Sequence, residues 1–307
     1  MPHLPVLLKE VIEYLNPQPN QNFVDCTLGD GGHAKAILER TAPKGKILGI
    51  DLDPKAIKIA QIQNSKSEIR NRLIAVEDNF KNLKKIVSDY KFGPVHGVLL
   101  DLGFRSEQLE EKGISFLRHE VLDMRFGPKS GELIGKEIVN TWNESELIKI
   151  FKIYGEEKNA IGIAKEIIRR RKIKPIVYSD ELAEIVLQFY REKFKTKKRI
   201  PWVGGRHPAT KIFQAIRIAV NDEINNLKSV LPQAIDILEK DGRLCVISFH
   251  SLEDRIVKKF FKQMSVACDF GAGKLKILTK KPIRPSEEEI QQNPRSRSAR
   301  LRVAQKL

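Results

Sequence analysis

The sequence predicts an α/β fold, a parallel sheet carrying a helical insertion, and three observations lead there. From residue 20 to about 101, short apolar runs alternate with helical stretches, the pattern of parallel βαβ units. From about 109 to 205 only helical periodicity remains. After a long helical stretch over 209–240 the strand pattern returns, and 242–307 alone is too small a sheet fragment to stand as a domain. The expected division is one α/β domain in two parts, 1–108 and 206–307, interrupted by a helical insertion over 109–205.

The elements follow in order. "NFVDC" predicts a strand, 32–40 a helix, "KILGID" a strand and "DPKAIKIAQIQ" a helix. "RLIAVE", a helical stretch at 80–90 and "HGVLLDLG" complete four strands, with right-handed connections expected between them. In the insertion, "NESELIKIFKIYG" puts Leu147, Ile150 and Phe151 on one face, and "AIGIAKEIIRRR" does the same with Ile161, Ala164, Ile167 and Ile168. Ser179 is the expected N-cap of "SDELAEIVLQFYREKF". Asp241-Gly242 is the expected stop of the 209–240 helix, with a strand over 244–249 behind it. "LKILTKKPI" and "ARLRVAQKL" read as a closing pair of edge strands.

The 307 residues carry 55 basic and 39 acidic side chains, a net charge of +16, which points to a polyanionic partner and to nucleic acid first. Within the insertion the charge runs through Arg169, Arg170 and Arg171 and again through Lys197, Lys198 and Arg199. A charge run is often only a solvated face, but this one borders an expected crevice. Three cysteines, Cys26, Cys245 and Cys268, have no metal-ligand spacing, so no metal site is expected. Cys26 and Cys245 lie in apolar runs, as buried reduced thiols do. The start "MPHLPVLLKEV" lacks a basic signal-peptide region, and no apolar run reaches membrane-spanning length. The expected location is the cytoplasm.

Ligands of open α/β sheets bind beyond the C-terminal strand ends. The first strand ends in Asp25 and a turn whose Gly29, Gly31 and Ala34 fit the loose dinucleotide pattern. The second ends in Asp51, placed to accept ribose hydroxyls. The third leads to Asp78 and Phe80, suited to an adenine, and the fourth ends in Asp101. Each acid alone can serve as a helix N-cap. Together they repel a pyrophosphate and favour S-adenosylmethionine, which carries an ammonium and a sulfonium and no phosphate. Methyl transfer is thereby favoured over nicotinamide-dependent hydride transfer. The strand over 244–249 should deliver His250 to the same crevice, with Ser251 as N-cap of the next helix and Asp254 in a capping-box position.

"HLPVLLKEV", "DCTLGDGGH", "LLDLG", "LDMR", "HPATKIFQAIRIAVNDEI", "GRLCVISFHSLEDRIVKKF" and "NPRSRSARLRV" run in order along nearly the whole chain. Together they resemble the bacterial small-subunit ribosomal RNA cytosine-N4 methyltransferases, the RsmH (MraW) family. The resemblance implies a class I S-adenosylmethionine-dependent methyltransferase, a Rossmann-like fold with an inserted all-helical domain. It implies a cytosine of the decoding region as substrate, in small-subunit ribosomal RNA or the assembling subunit. By motif match the cofactor contacts fall on Gly31, Gly32, His33, Asp51, Phe80, Asp101 and Gln108. The chain departs from the family pattern at Phe104, Arg105 and Ser106, and at His119, Glu120 and Val121 before "LDMR". Asp101 or a backbone carbonyl beside it, with His250 assisting, is the expected acceptor of the amine protons, and service as a cofactor ligand alone is an equal reading of Asp101. Arg295 and Arg297, with Arg300 and Arg302, are expected to join the insertion's cations in holding RNA backbone around an unpaired or flipped base. A non-catalytic ribosome-assembly factor that kept the cofactor fold is the alternative, and a homodimer stays open.

Overall fold

The computed structural model describes residues 4–65, 71–103, 112–128, 131–196, 207–266 and 273–307. Phe104, Arg105, Ser106, Gln108, Lys197, Lys198, Arg199 and Cys268 lie outside them. Two compact units divide the chain, one of residues 1–103 with 224–307 and one of 104–223.

The first unit opens with α1 (Leu8–Leu15) and continues through β1 (Phe23–Asp25), α2 (Gly32–Arg40), β2 (Ile47–Asp51), α3 (Pro54–Ser65), β3 (Leu73–Glu77), α4 (Leu83–Asp89) and β4 (Val95–Asp101). It resumes after the second unit with α10 (Glu223–Ile237), β5 (Leu238–Ser248), α11 (Ser251–Ser265), β6 (Leu275–Ile277), α12 (Glu287–Gln292) and β7 (Arg300–Lys306). The strands form one sheet in the order β3-β2-β1-β4-β5-β7-β6. β1 to β5 run parallel, and β7 is antiparallel to both its neighbours. This is the class I methyltransferase order, with the sequence direction reversing between β1 and β4.

Alternate residues of each strand feed opposite faces of the sheet. Val24, Leu48, Val98, Leu100 and Val246 pack with Leu227, Val230 and Leu231 of α10 and with Val257 and Phe261 of α11. Phe23, Ile47, Leu99, Cys245 and Ile247 pack with Val11 and Leu15 of α1 and with Ile37 and Leu38 of α2. Burial on both faces explains why the strands read as unbroken apolar runs. Cys26 and Cys245 are free and buried in these two layers, and burial pushes both thiols up.

The second unit contains α5 (Gly135–Thr141), α6 (Glu144–Ile153), α7 (Ala160–Arg171), α8 (Ser179–Lys193) and α9 (Thr210–Asn221). Its core joins Ile138, Leu147, Phe151, Ile163, Ile167, Leu182, Val186, Ile212 and Ile216. Leu147, Ile150 and Phe151 are buried as their spacing predicts, but in α7 the buried stripe is Ala160, Ile163, Ala164 and Ile167, leaving Ile161 48% exposed.

Several boundaries differ from the sequence reading. The single helix expected over 209–240 is two, broken at Asp222, which adopts a left-handed φ of 50°. α9 then packs on α5 and α6, while α10 packs on the sheet, so the unit boundary falls after 223 rather than 205. β5 begins at Leu238, and Asp241-Gly242 lies inside it where the pairing with β4 shifts register. β7 is an interior strand between β5 and β6, so of the closing pair β6 alone is an edge strand, with β3 at the opposite edge of the sheet. Tyr178, not Ser179, occupies the N-cap position of α8, without a side-chain capping bond; the Ser179 hydroxyl donates to the Arg118 carbonyl at 2.6 Å. No described helix is long and apolar enough to cross a membrane.

Candidate active site

The C-terminal ends of β1, β2 and β4 bring Asp25, Asp51 and Asp101 to the point where strand order reverses, the place where open α/β sheets bind ligands. The chain leaving β1 is laced to the strands on either side. The Cys26 N–H donates to the Leu99 carbonyl, the Leu28 N–H to the Ile50 carbonyl, and the Gly29 N–H to Asp51 Oδ2 at 2.8 Å. Asp51 Oδ1 accepts the Asp53 N–H, also at 2.8 Å, so the carboxylate is oriented by backbone on both oxygens. Gly31 closes the turn with φ +78° as N-cap of α2, a conformation L side chains rarely adopt. The first N–H groups of α2 follow directly from it. Beyond β3, Asp78 turns its carboxylate to the Asn79 N–H and the Asn82 amide, and Phe80 packs half-buried on the core layer.

Asp25 and Asp101 form the chemical centre. Asp25 is 1% exposed, and Asp101 leads out of the neighbouring strand. Thr27 braces both: its backbone N–H donates to Asp25 Oδ1 at 3.1 Å, and its hydroxyl oxygen accepts the Asp101 N–H at 2.7 Å. Burial, with a smaller push from Asp51, raises the Asp25 carboxyl to about 7. Burial, then the charges of Asp25 and Glu253, raise Asp101 to about 8. Neither carboxylate meets a lysine or arginine among the described residues. Asp101 Oδ1 and the fully buried Ser248 hydroxyl at the end of β5 have no hydrogen-bond partner there. His33 joins the site from α2. Its Nε2 lies 2.9 Å from the Val6 carbonyl and therefore donates, leaving Nδ1 3.8 Å from Asp101 Oδ2.

The end of β5 corrects the capping assignment. His250, not Ser251, is the N-cap of α11, and Glu253, not Asp254, completes its capping box. His250 Nδ1 accepts the Glu253 N–H, and Glu253 Oε2 accepts the N–H groups of Phe249 and His250 at 2.9 and 3.2 Å. His250 Nε2 stands 3.2 Å from Glu253 Oε1 without hydrogen-bond alignment. The ring is therefore explained first as a cap. Asp254 instead pairs with Arg302 at 2.6 Å and with Arg300 at 3.2 Å.

That pairing removes Arg302, which is 6% exposed, from any RNA surface. Arg295 and Arg297 lie exposed in the short turn Pro294–Ser298. Arg169 and Arg170 both pair with Glu166, and Arg171 donates to the Val139 and Trp142 carbonyls, so this cluster also holds the helical unit together. The sequence pattern alone does not single out Thr27, Ser248 and Glu253. Thr27 carries a local signal, a hydroxyl two residues after a strand-end acid, and Glu253 carries one too, three residues beyond a residue able to cap.

The MraW methylase family model matches residues 1–307. Three proteins named Ribosomal RNA small subunit methyltransferase H are similar to the chain. That of Thermomicrobium roseum is 44% identical, covering 99% of this chain and 94% of its own length. That of Heliobacterium mobile is 43% identical, with 99% of each chain covered. That of Carboxydothermus hydrogenoformans is 44% identical, with 99% and 98% covered. With strand order, strand-end acids and full-length similarity in agreement, the chain belongs to the MraW methylase family, S-adenosylmethionine-dependent methyltransferases that act on ribosomal RNA.

Proposed function

We propose that the protein methylates the N4 amine of a cytosine in small-subunit ribosomal RNA, with Asp101 as the acceptor that receives the amine. The carrying observation is Asp101 Oδ1, a buried acceptor without a partner among the described residues, at the end of the central strand. A cytosine amine donates two N–H bonds, and its lone pair is delocalised into the ring. A carboxylate accepting one N–H helps localise that pair and is placed to take the proton that must leave. The relatives' name supports the small ribosomal subunit as the source of the RNA.

The residues present fit the cofactor, because one buried and one largely buried carboxylate with no lysine or arginine beside them among the described residues call for a cationic ligand. S-adenosylmethionine supplies, when bound, a transferable methyl group on a positively charged sulfur. In this reading Gly31, Gly32 and His33 hold its methionine portion, Asp51 accepts the ribose hydroxyls and Phe80 packs on the adenine. Gln108, the remaining contact, lies outside the described residues. Positioning of the amine in line with the methyl carries much of the rate. Arg295 and Arg297 bind RNA phosphates, with Arg169 and Arg170 adding charge where Glu166 leaves it unbalanced.

Deleting the gene and mapping lost RNA methyl groups by mass spectrometry tests the reading. Loss of one N4-methylcytosine, restored by the wild-type gene and not by Asp101→Asn, is expected. Loss of no methyl group, or full restoration by the Asn variant, contradicts it.

A further inference from the structure

We infer that Asp25 and Asp101 act as one titrating pair, held in place by Thr27, that surrenders a proton when the cationic cofactor binds and regains one as methyl transfer discharges the site. The inference rests on the cofactor reading above. Its basis is geometric. β1 and β4 are adjacent and parallel, with Asp25 opposite Leu99 and Asp101 two residues further along. Thr27 fixes the first carboxylate through its N–H and the second residue's backbone through its hydroxyl. Asp25 is buried; the Asp101 side chain is 14% exposed, but its Oδ1 is buried and has no donor among the described residues.

Two of the surrounding titratable groups add negative charge, Asp51 from β2 and Glu253 from α11, while the Cys26 thiol at β1's exit is held protonated and adds none. His33 approaches from α2, at 3.8 Å from Asp101 Oδ2. Two like charges so placed share a proton near neutral pH, as coupled carboxylates do, and their two protonation steps belong to the pair rather than to either residue. Both raised carboxyls agree with this.

The chemistry then closes on itself. The N4 lone pair forms the new N–C bond, the bonding pair of the S–C bond stays on sulfur, and one proton leaves nitrogen. Reactants carry one positive charge on sulfur; products carry none there and one free proton. The pair, fully ionised while a cation faces it, becomes basic again when that charge disappears and takes up the proton. Asp25 is thereby a positioning residue, setting the proton affinity of Asp101, and Thr27 fixes the distance between them.

The test is calorimetric titration of the cofactor-free full-length protein near neutral pH, in buffers of different ionisation enthalpy. S-adenosylmethionine should release roughly one proton, and S-adenosylhomocysteine, which lacks the sulfonium charge, less than half as much. Asp25→Asn should cut the release at least twofold. Thr27→Val should shift its pH midpoint, and Thr27→Ser should restore it. If a variant does not fold, infrared difference spectra of the wild type decide: the protonated-carboxyl band should fade with the cofactor and persist with its demethylated product. Binding of both ligands with equal or no proton release overturns the pair and leaves the cofactor site standing. No binding of S-adenosylmethionine overturns both.

Discussion

His33 ties the N-terminal segment to the reaction centre: its Nε2 meets the Val6 carbonyl at 2.9 Å and its Nδ1 stands 3.8 Å from Asp101 Oδ2. The Leu7 N–H, next along, donates to Glu289 Oε1 at 2.8 Å, so the entry to α1 is held from two sides. Replacing His33 by Ala removes one of these ties and leaves a buried carbonyl unpaired, at a cost of about 1–3 kcal/mol. Hydrogen exchange should rise over residues 4–15, and affinity for S-adenosylmethionine should fall together with it. Unchanged exchange in that segment would separate His33 from it.

The stability of the cofactor-free protein should fall as pH rises from about 4 to about 8. Asp25 and Asp101 ordinarily titrate at 3.8 and are raised to about 7 and about 8, so across this window the folded state holds more protons than the unfolded state. Glu181 acts in the opposite sense. Burial resists its ionisation, but Lys174 and the Val177 and Tyr178 N–H groups prevail and lower it to about 2, so its contribution is complete above 4.5 and lost as pH falls toward 2. Thermal melts at a series of pH values should show a decline on the alkaline side that Asp25→Asn flattens. An unchanged slope in that variant would contradict the assignment.

Arg302 and Arg297 lie close in sequence and should behave as different kinds of residue. The Asp254–Arg302 pair is buried, and Asp254→Ala leaves the guanidinium uncompensated, costing about 3–5 kcal/mol in denaturant unfolding. Arg297→Ala should change stability by less than about 0.5 kcal/mol. It should weaken RNA binding across sequences and reduce the slope of log affinity against log salt by about 1. A flat salt response in the wild type would remove the phosphate contacts from the account.

His250 is tested by its own geometry. Asn is a better N-cap than His, so His250→Asn should keep both stability and methyl transfer, whereas His250→Ala should lose about 1 kcal/mol. Loss of turnover in a stable Asn variant would return the ring to the chemistry.

The parts of the site that could be read in sequence are those fixed by local rules. A parallel strand buried on both faces admits no acid inside it, so Asp25, Asp51 and Asp101 could stand only at strand ends, and there they are found. The unread parts depend on what distant segments bring. The helical period runs unbroken through Asp222, and only packing on two different cores divides α9 from α10. Arg302 and Arg295 look alike in "NPRSRSARLR", and nothing local says that Asp254 lies across from one of them. Ser251 is the better intrinsic cap, but the strand hands over to the helix one residue earlier, at His250.

Asn221 has a further consequence, for the order of folding. Its side chain joins the last helix of the second unit to the segment that precedes α5, donating to the Met124 carbonyl at 2.8 Å and accepting the Phe126 N–H at 2.9 Å. β4 and β5 must pair across residues 104–223, which belong to that unit. If the unit forms first, Asn221 shortens the loop that the sheet has to close to roughly a third of its length, saving roughly 1 kcal/mol of closure entropy. An inserted domain usually counts as a burden on its host; this one, stapled at its neck, serves as a splint that lets the host's central strands find each other.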